Sequence, residues 1–121
     1  MSQQRYPDNK MMFPVSIPEQ WELFADLREE LLLNYEYNTA RAYWGDLQDC
    51  FEWTVKRELN IFELNEKYIR QYVGLLRRRK YSESTIRRRI TTLRLFYNLV
   101  IKIGLRDDNP AEPVVIRRRK K

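Results

Sequence analysis

Three consecutive arginines, Arg87, Arg88 and Arg89, stand in the segment Ser84-Thr-Ile-Arg-Arg-Arg-Ile-Thr-Thr-Leu-Arg-Leu-Phe-Tyr97. A guanidinium presents its N–H donors as a planar fork that matches guanine O6 and N7 or a phosphate. Serine and threonine hydroxyls contact phosphates and fix register. Such residues hold a polyanion; they do not break bonds. Their placement has a direction. Ile86, Ile90, Leu93, Tyr97 and Val100 recur at spacings of three and four, one apolar stripe on a helix. At about 100° per residue, Arg88 points away from that stripe. Ser84, Thr91 and Thr92 share its outer side, and Arg87 and Arg89 flank it. The expectation is that Ser84, Thr85, Arg88, Arg89 and Thr92 meet base edges or phosphates of DNA, with Arg87 and Arg94 at the rim. A merely solvated basic face is the alternative.

Three further places carry similar chemistry. On the same angular count, Asn38, Arg41, Ala42 and Gly45 form an outward patch at the start of an earlier helix. A helix N-terminus offers free amides to a phosphate. Gly45 costs about 1 kcal/mol against alanine inside a helix; close approach of DNA would justify it, and so would simple tolerance of a surface glycine. Asp46, Asp49 and Glu52 then turn the outer side acidic. The run Arg77-Arg78-Arg79-Lys80 either tracks a phosphate backbone or complements a helix C-terminal dipole. Arg117, Arg118 and Arg119, followed by two lysines, make a basic tail.

Composition narrows the class. The chain has 121 residues, 43% of them hydrophobic, enough for one domain with a core. Only 3 glycines argue against a turn-rich β fold. The net charge of +6 is unevenly spread. Residues 1–66 carry 6 Lys+Arg and 13 Asp+Glu, whereas residues 67–121 carry 17 and 4. That basic half points to a polyanionic partner. Histidine is absent, which removes the commonest general base. With Cys50 alone besides, no zinc site and no internal disulfide are expected, and neither is any cofactor. No nucleophile–base pair, glycine-rich phosphate loop or carboxylate dyad is visible. No stretch reaches the roughly 18 apolar residues of a membrane span. A reducing, intracellular setting fits these counts.

Four helices must position these groups. Residues 1–15 show no period and read as a tail. Helix 1 starts near Pro18 and turns Trp21, Phe24, Leu27, Leu31 and Leu32 inward. Helix 2 opens at Asn38 or Thr39 as cap, with Ala40, Tyr43, Leu47, Cys50, Phe51 and Thr54 inside and Trp44 and Trp53 at the stripe's edge. Phe62 and Leu64 tuck in after it. Asn65 caps helix 3, whose buried face is Ile69, Tyr72, Val73 and Leu76. Ser82 caps helix 4, which runs to Gly104, a left-handed stop. Residues 107–111 read as a turn, and residues 112–121 show no sign of a core.

The series Thr39-x-x-x-Tyr43-x-x-Asp46-Leu47-x-x-x-Phe51-x-Trp53, then Leu64-Asn65, Ile69, Tyr72-Val73 and Leu76, then Ser82 through Tyr97, Gly104 and Asn109-Pro110-Ala111 resembles the core-binding, SAM-like domain of tyrosine recombinases and phage integrases. The resemblance covers about residues 16–112 and implies an all-α, compact four-helix SAM-like orthogonal bundle. It implies a DNA-binding function: helix 2 through Asn38, Thr39, Arg41 and Ala42, and helix 4 through Ser84, Thr85, Arg88, Arg89 and Thr92, clamp double-stranded DNA at a recombination half-site, with further recombinase protomers as partners when full length and a monomer for the isolated domain. Residues 113–121 become a basic linker toward a catalytic domain. Family catalysis needs an arginine–histidine–arginine set and a tyrosine nucleophile, so this segment alone is expected not to cleave DNA. The competing reading is a SAM-like protein–protein interaction module that uses Trp44, Trp53 and the acidic face of helix 2.

Overall fold

The computed structural model describes residues 17–117. The tail expected over residues 1–15 lies outside that range. Four α-helices occupy it: α1 (Ile17–Leu32), α2 (Tyr37–Lys56), α3 (Glu66–Arg78) and α4 (Glu83–Lys102), with one 3-10 turn at Ile61–Glu63 between α2 and α3. No strand occurs among the described residues. The expected all-α four-helix bundle is the fold observed.

Helices α2, α3 and α4 begin where a side chain satisfies the first free amides. Asn65 accepts from the Tyr68 amide at 3.0 Å, and Ser82 accepts from the Thr85 amide at 3.1 Å. At α2 the cap differs from expectation. Glu36, not Asn38 or Thr39, accepts from the amides of both of those residues at 3.0 Å, and the Thr39 hydroxyl donates to it at 2.7 Å. The longer carboxylate reaches two amides at once and sits at the positive end of the dipole. Gly104 ends α4 at φ 88°, the left-handed region where a side chain is costly.

The core is aromatic at its centre. Phe24 of α1 stacks on Phe51 of α2 with ring centroids 4.4 Å apart, while Trp21 meets Phe51 and Phe96 meets Phe24 edge-on. Leu47, Ile69, Leu76, Ile86, Ile90 and Val100 close around them, all fully or nearly fully buried. Tyr97 is buried too, and its hydroxyl donates to the Ile61 carbonyl at 2.6 Å. Burial pushes its phenol well above the ordinary value. That bond ties the 3-10 turn to α4. Cys50 is buried, as its place on the inner stripe implied, and burial pushes its thiol up. Trp53, expected half exposed, is buried against Tyr72.

The segment after the bundle also departs from expectation. Val114 and Ile116 are buried in the core, although residues 112–121 carry no periodic signal. Arg94 clasps the segment, donating to the carbonyls of Ala111 and Val114. Asn109 Nδ2 donates to the Arg94 carbonyl at 3.0 Å, and Asn109 Oδ1 accepts from the Ala111 amide. Arg94 therefore serves the fold, not a rim.

Candidate nucleic-acid interface

The basic run of α4 lies along α2 because α2 offers carboxylates there. Arg88 Nε donates to Asp46 Oδ2 at 2.9 Å and its Nη2 donates to Oδ1, a two-point pair across the two helices. The hydrogen bond that Arg88 donates to Asp46 raises the guanidinium's pKa further, against a smaller effect of burial. Thr92 Oγ1 lies 2.9 Å from Asp46 Oδ2. Arg89 Nε lies 3.4 Å from Asp46 Oδ1, and its Nη1 donates to Asp49 Oδ2 at 2.9 Å. Asp49 also accepts from Arg79 Nη1 at 2.9 Å and from the Tyr72 hydroxyl. The Arg89 guanidinium stands 4.7 Å from the Tyr81 ring centroid. Burial opposes charge on Arg89, but Tyr72, Asp46 and Asp49 outweigh it, so its pKa is raised. Burial, followed by Cys50 and the bond to Asp49, lifts the Tyr72 phenol above its usual range.

This seam corrects several expected directions. Asp46 is only 2% exposed, so it does not belong to an outer acidic face. Thr92 is fully buried and faces α2 instead of solvent. The Arg89 side chain is 12% exposed and is occupied by the protein itself. Arg88 is the intermediate case, paired with Asp46 yet 42% exposed. An isolated helix projection missed this because α4 is covered from two sides. Its apolar stripe meets the core, and a polar strip beside it meets α2.

Other expected residues do lie outward. Ser84 is exposed and Thr85 half-buried, with Thr85 Oγ1 accepting from Ser82 at 3.1 Å. Arg87 is half-buried. On α2, Asn38 and Arg41 are exposed, and Thr39, Ala42 and Gly45 are half-buried. A Cβ at Gly45 would meet no atom within 4 Å, so packing inside the chain does not require glycine there. Ala42 precedes Asp46 by one turn and shares its side of α2, and Gly45 is the residue before Asp46. The first α2 amides, offered above to a phosphate, are taken by Glu36. Hydrogen bonding by Thr39 and the backbone holds that carboxylate's pKa below its ordinary value.

The run at the end of α3 is divided. Arg77 pairs with Glu83 at 3.2 Å and Arg79 with Asp49 at 2.9 Å. Arg78 and Lys80 are exposed, and no carboxylate pairs with either among the described residues. Lys80 adopts φ 71°, so the turn into α4 is tight. Arg117 is exposed; Arg118 and Arg119 lie outside the described residues. No cluster of three or more potential metal ligands occurs among the described residues, and no described helix is long and apolar enough to cross a membrane.

Comparison with known proteins agrees with this architecture. A profile described as phage integrase, N-terminal SAM-like domain, matches residues 25–104. Tyrosine recombinase XerC of Leptospira interrogans is 34% identical over 79 residues, which is 64% of this chain and 25% of that protein. XerC of Treponema denticola is 36% identical over 76 residues, or 63% and 25% of the two chains. A tyrosine recombinase of Pseudothermotoga lettingae is 26% identical over 87 residues, or 68% and 30%. The match thus spans about a quarter of the length of the curated relatives. No solved structure matches significantly. The matched span runs from the middle of α1 to the end of α4 and includes the whole Asp46–Arg88–Arg89 seam, and the chain belongs to the N-terminal SAM-like domain family of phage integrases and tyrosine recombinases.

Proposed function

We propose that this domain binds double-stranded DNA for a site-specific tyrosine recombinase, gripping a recombination half-site with the N-terminal parts of α2 and α4. The observation that carries the reading is the Asp46–Arg88 pair. It ties a partly exposed arginine of α4 to Asp46 of α2, one turn after Ala42 and next in sequence to Gly45, where a Cβ would meet no atom within 4 Å. An arginine held across two adjoining helices, with small residues near its anchor, suits a groove where a base edge or phosphate must come close. Arg41, Arg87, Arg78 and Lys80 supply positive charge with no carboxylate partner among the described residues. Ser84, Thr85 and Asn38 add polar donors. Arg77, Arg79, Arg89 and Thr92 are assigned to supporting this surface. The basic run Arg117, Arg118 and Arg119 is assigned to contact with the DNA backbone by its charge. The reading gives this domain the holding of DNA; cleavage belongs to a catalytic domain of the full-length recombinase, with further protomers joining at synapsis.

The interaction-module alternative depended on Trp44, Trp53 and the acidic side of α2. Trp53 is buried, and Asp46 and Asp49 are engaged by arginines. Of that set Trp44 and Glu52 remain exposed.

Two measurements test the proposal. Binding to duplex DNA should weaken with salt, with a slope of roughly −4 to −5 if about five phosphates are engaged. A titration without salt dependence overturns the reading. Arg88→Ala should lose about 1–3 kcal/mol, chiefly on a duplex enriched by this chain from a random library. An equal loss on scrambled duplex would make Arg88 a phosphate contact.

A further inference from the structure

The geometry points to Asp46 as a positioning residue for DNA recognition: its buried carboxylate holds the Arg88 guanidinium so that the opposite edge is presented outward. The inference rests on the DNA-binding reading above and goes beyond it by assigning a role to a residue that cannot itself reach DNA.

Arg88 uses one edge of its guanidinium, Nε and Nη2, on Asp46. The other edge, Nη1 with the second Nη2 proton, makes no hydrogen bond within the described chain, and the side chain is 42% exposed. That remaining edge is itself a two-donor fork, the geometry that reads guanine or grips a phosphate. Asp46 is in turn fixed. Thr92 Oγ1 sits 2.9 Å from Oδ2, Arg89 Nε sits 3.4 Å from Oδ1, and Arg89 is anchored to Asp49 and Tyr72. The chain of support runs from α3 through Asp49 and Arg89 to Asp46, and ends at Arg88.

A simple structural link between α2 and α4 does not need this arrangement. Well-packed apolar residues usually join helices as firmly as a buried ion pair. The Asp46 network also holds a second arginine, and it leaves the outer one half in solvent. An arginine ordered before binding loses less rotamer freedom on contact, so its contribution to affinity is larger.

The test compares Asp46→Asn, Arg88→Ala and the double variant on two probes, an enriched duplex and a scrambled duplex of equal composition. Asparagine keeps the shape and an acceptor for Thr92 but loses the charge that pins Arg88. Asp46→Asn should weaken the enriched duplex about tenfold and the scrambled duplex about twofold or less. In the Arg88→Ala background it should cost nothing more. An unchanged affinity, or the same loss in both backgrounds, overturns the inference. Tighter binding by Asp46→Asn also overturns it, because Asp46 would then compete with DNA for Arg88. Arg88→Lys serves if Asp46→Asn does not fold. It keeps the charge but cannot form the two-point pair, and should reproduce the tenfold loss. NMR relaxation of arginine Nε–Hε in the free chain gives a readout without DNA. Arg88 should be ordered where Arg87 is mobile, and equal mobility overturns the inference. Failure of the wild-type chain to bind any duplex would sink the DNA-binding reading, while the relaxation result would still decide the positioning.

Discussion

The α2–α4 seam and the α3–α4 turn are both rich in arginine, yet they use it in opposite ways. In the seam, Arg79, Arg88 and Arg89 converge on Asp46 and Asp49. At the turn, Arg78 and Lys80 stand exposed with no carboxylate partner among the described residues. Charge counted along a sequence treats these regions alike. The acidic half of the chain is largely what separates them, because α2 places two carboxylates where α4 passes. A guanidinium buried with its counter-charges, such as Arg89, belongs to the fold. One left wholly or partly in solvent, as Arg78 and Arg88 are, is open to whatever comes from outside.

The largest effect that can break this contrast is Arg89→Ala. Removing one partner of a buried pair leaves an uncompensated carboxylate and typically costs about 3–5 kcal/mol. Urea midpoints should fall accordingly, toward the lower end because Asp49 keeps Arg79. A variant as stable as wild type would mean that the seam is not structural. Next to it in sequence, Arg87→Ala should change stability by less than about 0.5 kcal/mol. Its effect should appear on DNA, as an affinity loss shared by all sequences and a salt slope smaller by about one. A drop in melting temperature like that of Arg89→Ala would erase the distinction.

Lys80→Gly sharpens the comparison from the other side. Lys80 holds φ 71°, where a side chain is strained and glycine is not. The variant should match or exceed wild-type stability by up to about 1 kcal/mol, while its DNA binding loses about one unit of salt slope. Loss of both stability and binding would show that Lys80 is held by contacts within the chain.

The smallest effect concerns acid. Glu36 and Asp108 have pKa values lowered by their hydrogen bonds, Glu36 by Thr39 first and Asp108 by Arg106 first. A lowered folded pKa contributes stability above the unfolded value, about 4.3 for Glu and 3.9 for Asp. That contribution fades as pH falls through the lower folded values. Glu36→Gln should therefore be slightly less stable than wild type at neutral pH, and the gap should close below about pH 4. A gap that persists in acid would place the cap's contribution in shape and not in charge.

Much of the bundle was legible because helices advertise themselves. Asn65, Ser82 and Gly104 were read as caps and stop from residue type alone, and the stripe from Ile86 to Val100 was read from spacing. The seam was not legible. Asp46 and Thr92 lie off the apolar stripes of their own helices, and periodicity within one helix says nothing about which neighbour covers its flank. Two oppositely charged flanks, Asp46 and Asp49 on α2 against Arg88 and Arg89 on α4, were the available signal. Glu36 was missed because glutamate is an uncommon N-cap. Val114 and Ile116 were missed because an irregular segment has no period to betray its burial.

That last segment limits reach. The chain leaves α4 at Lys102, but the Arg94 clasp and the burial of Val114 and Ile116 keep it against the body until Arg117. An extended chain spans at most about 3.6 Å per residue. Holding residues 113–116 therefore removes roughly 14 Å of slack from anything tethered beyond them. A shorter tether raises the effective concentration of its two ends for each other, provided it still spans the gap. Arg94, which looks on paper like one more cation of a basic helix, sets the length of the leash.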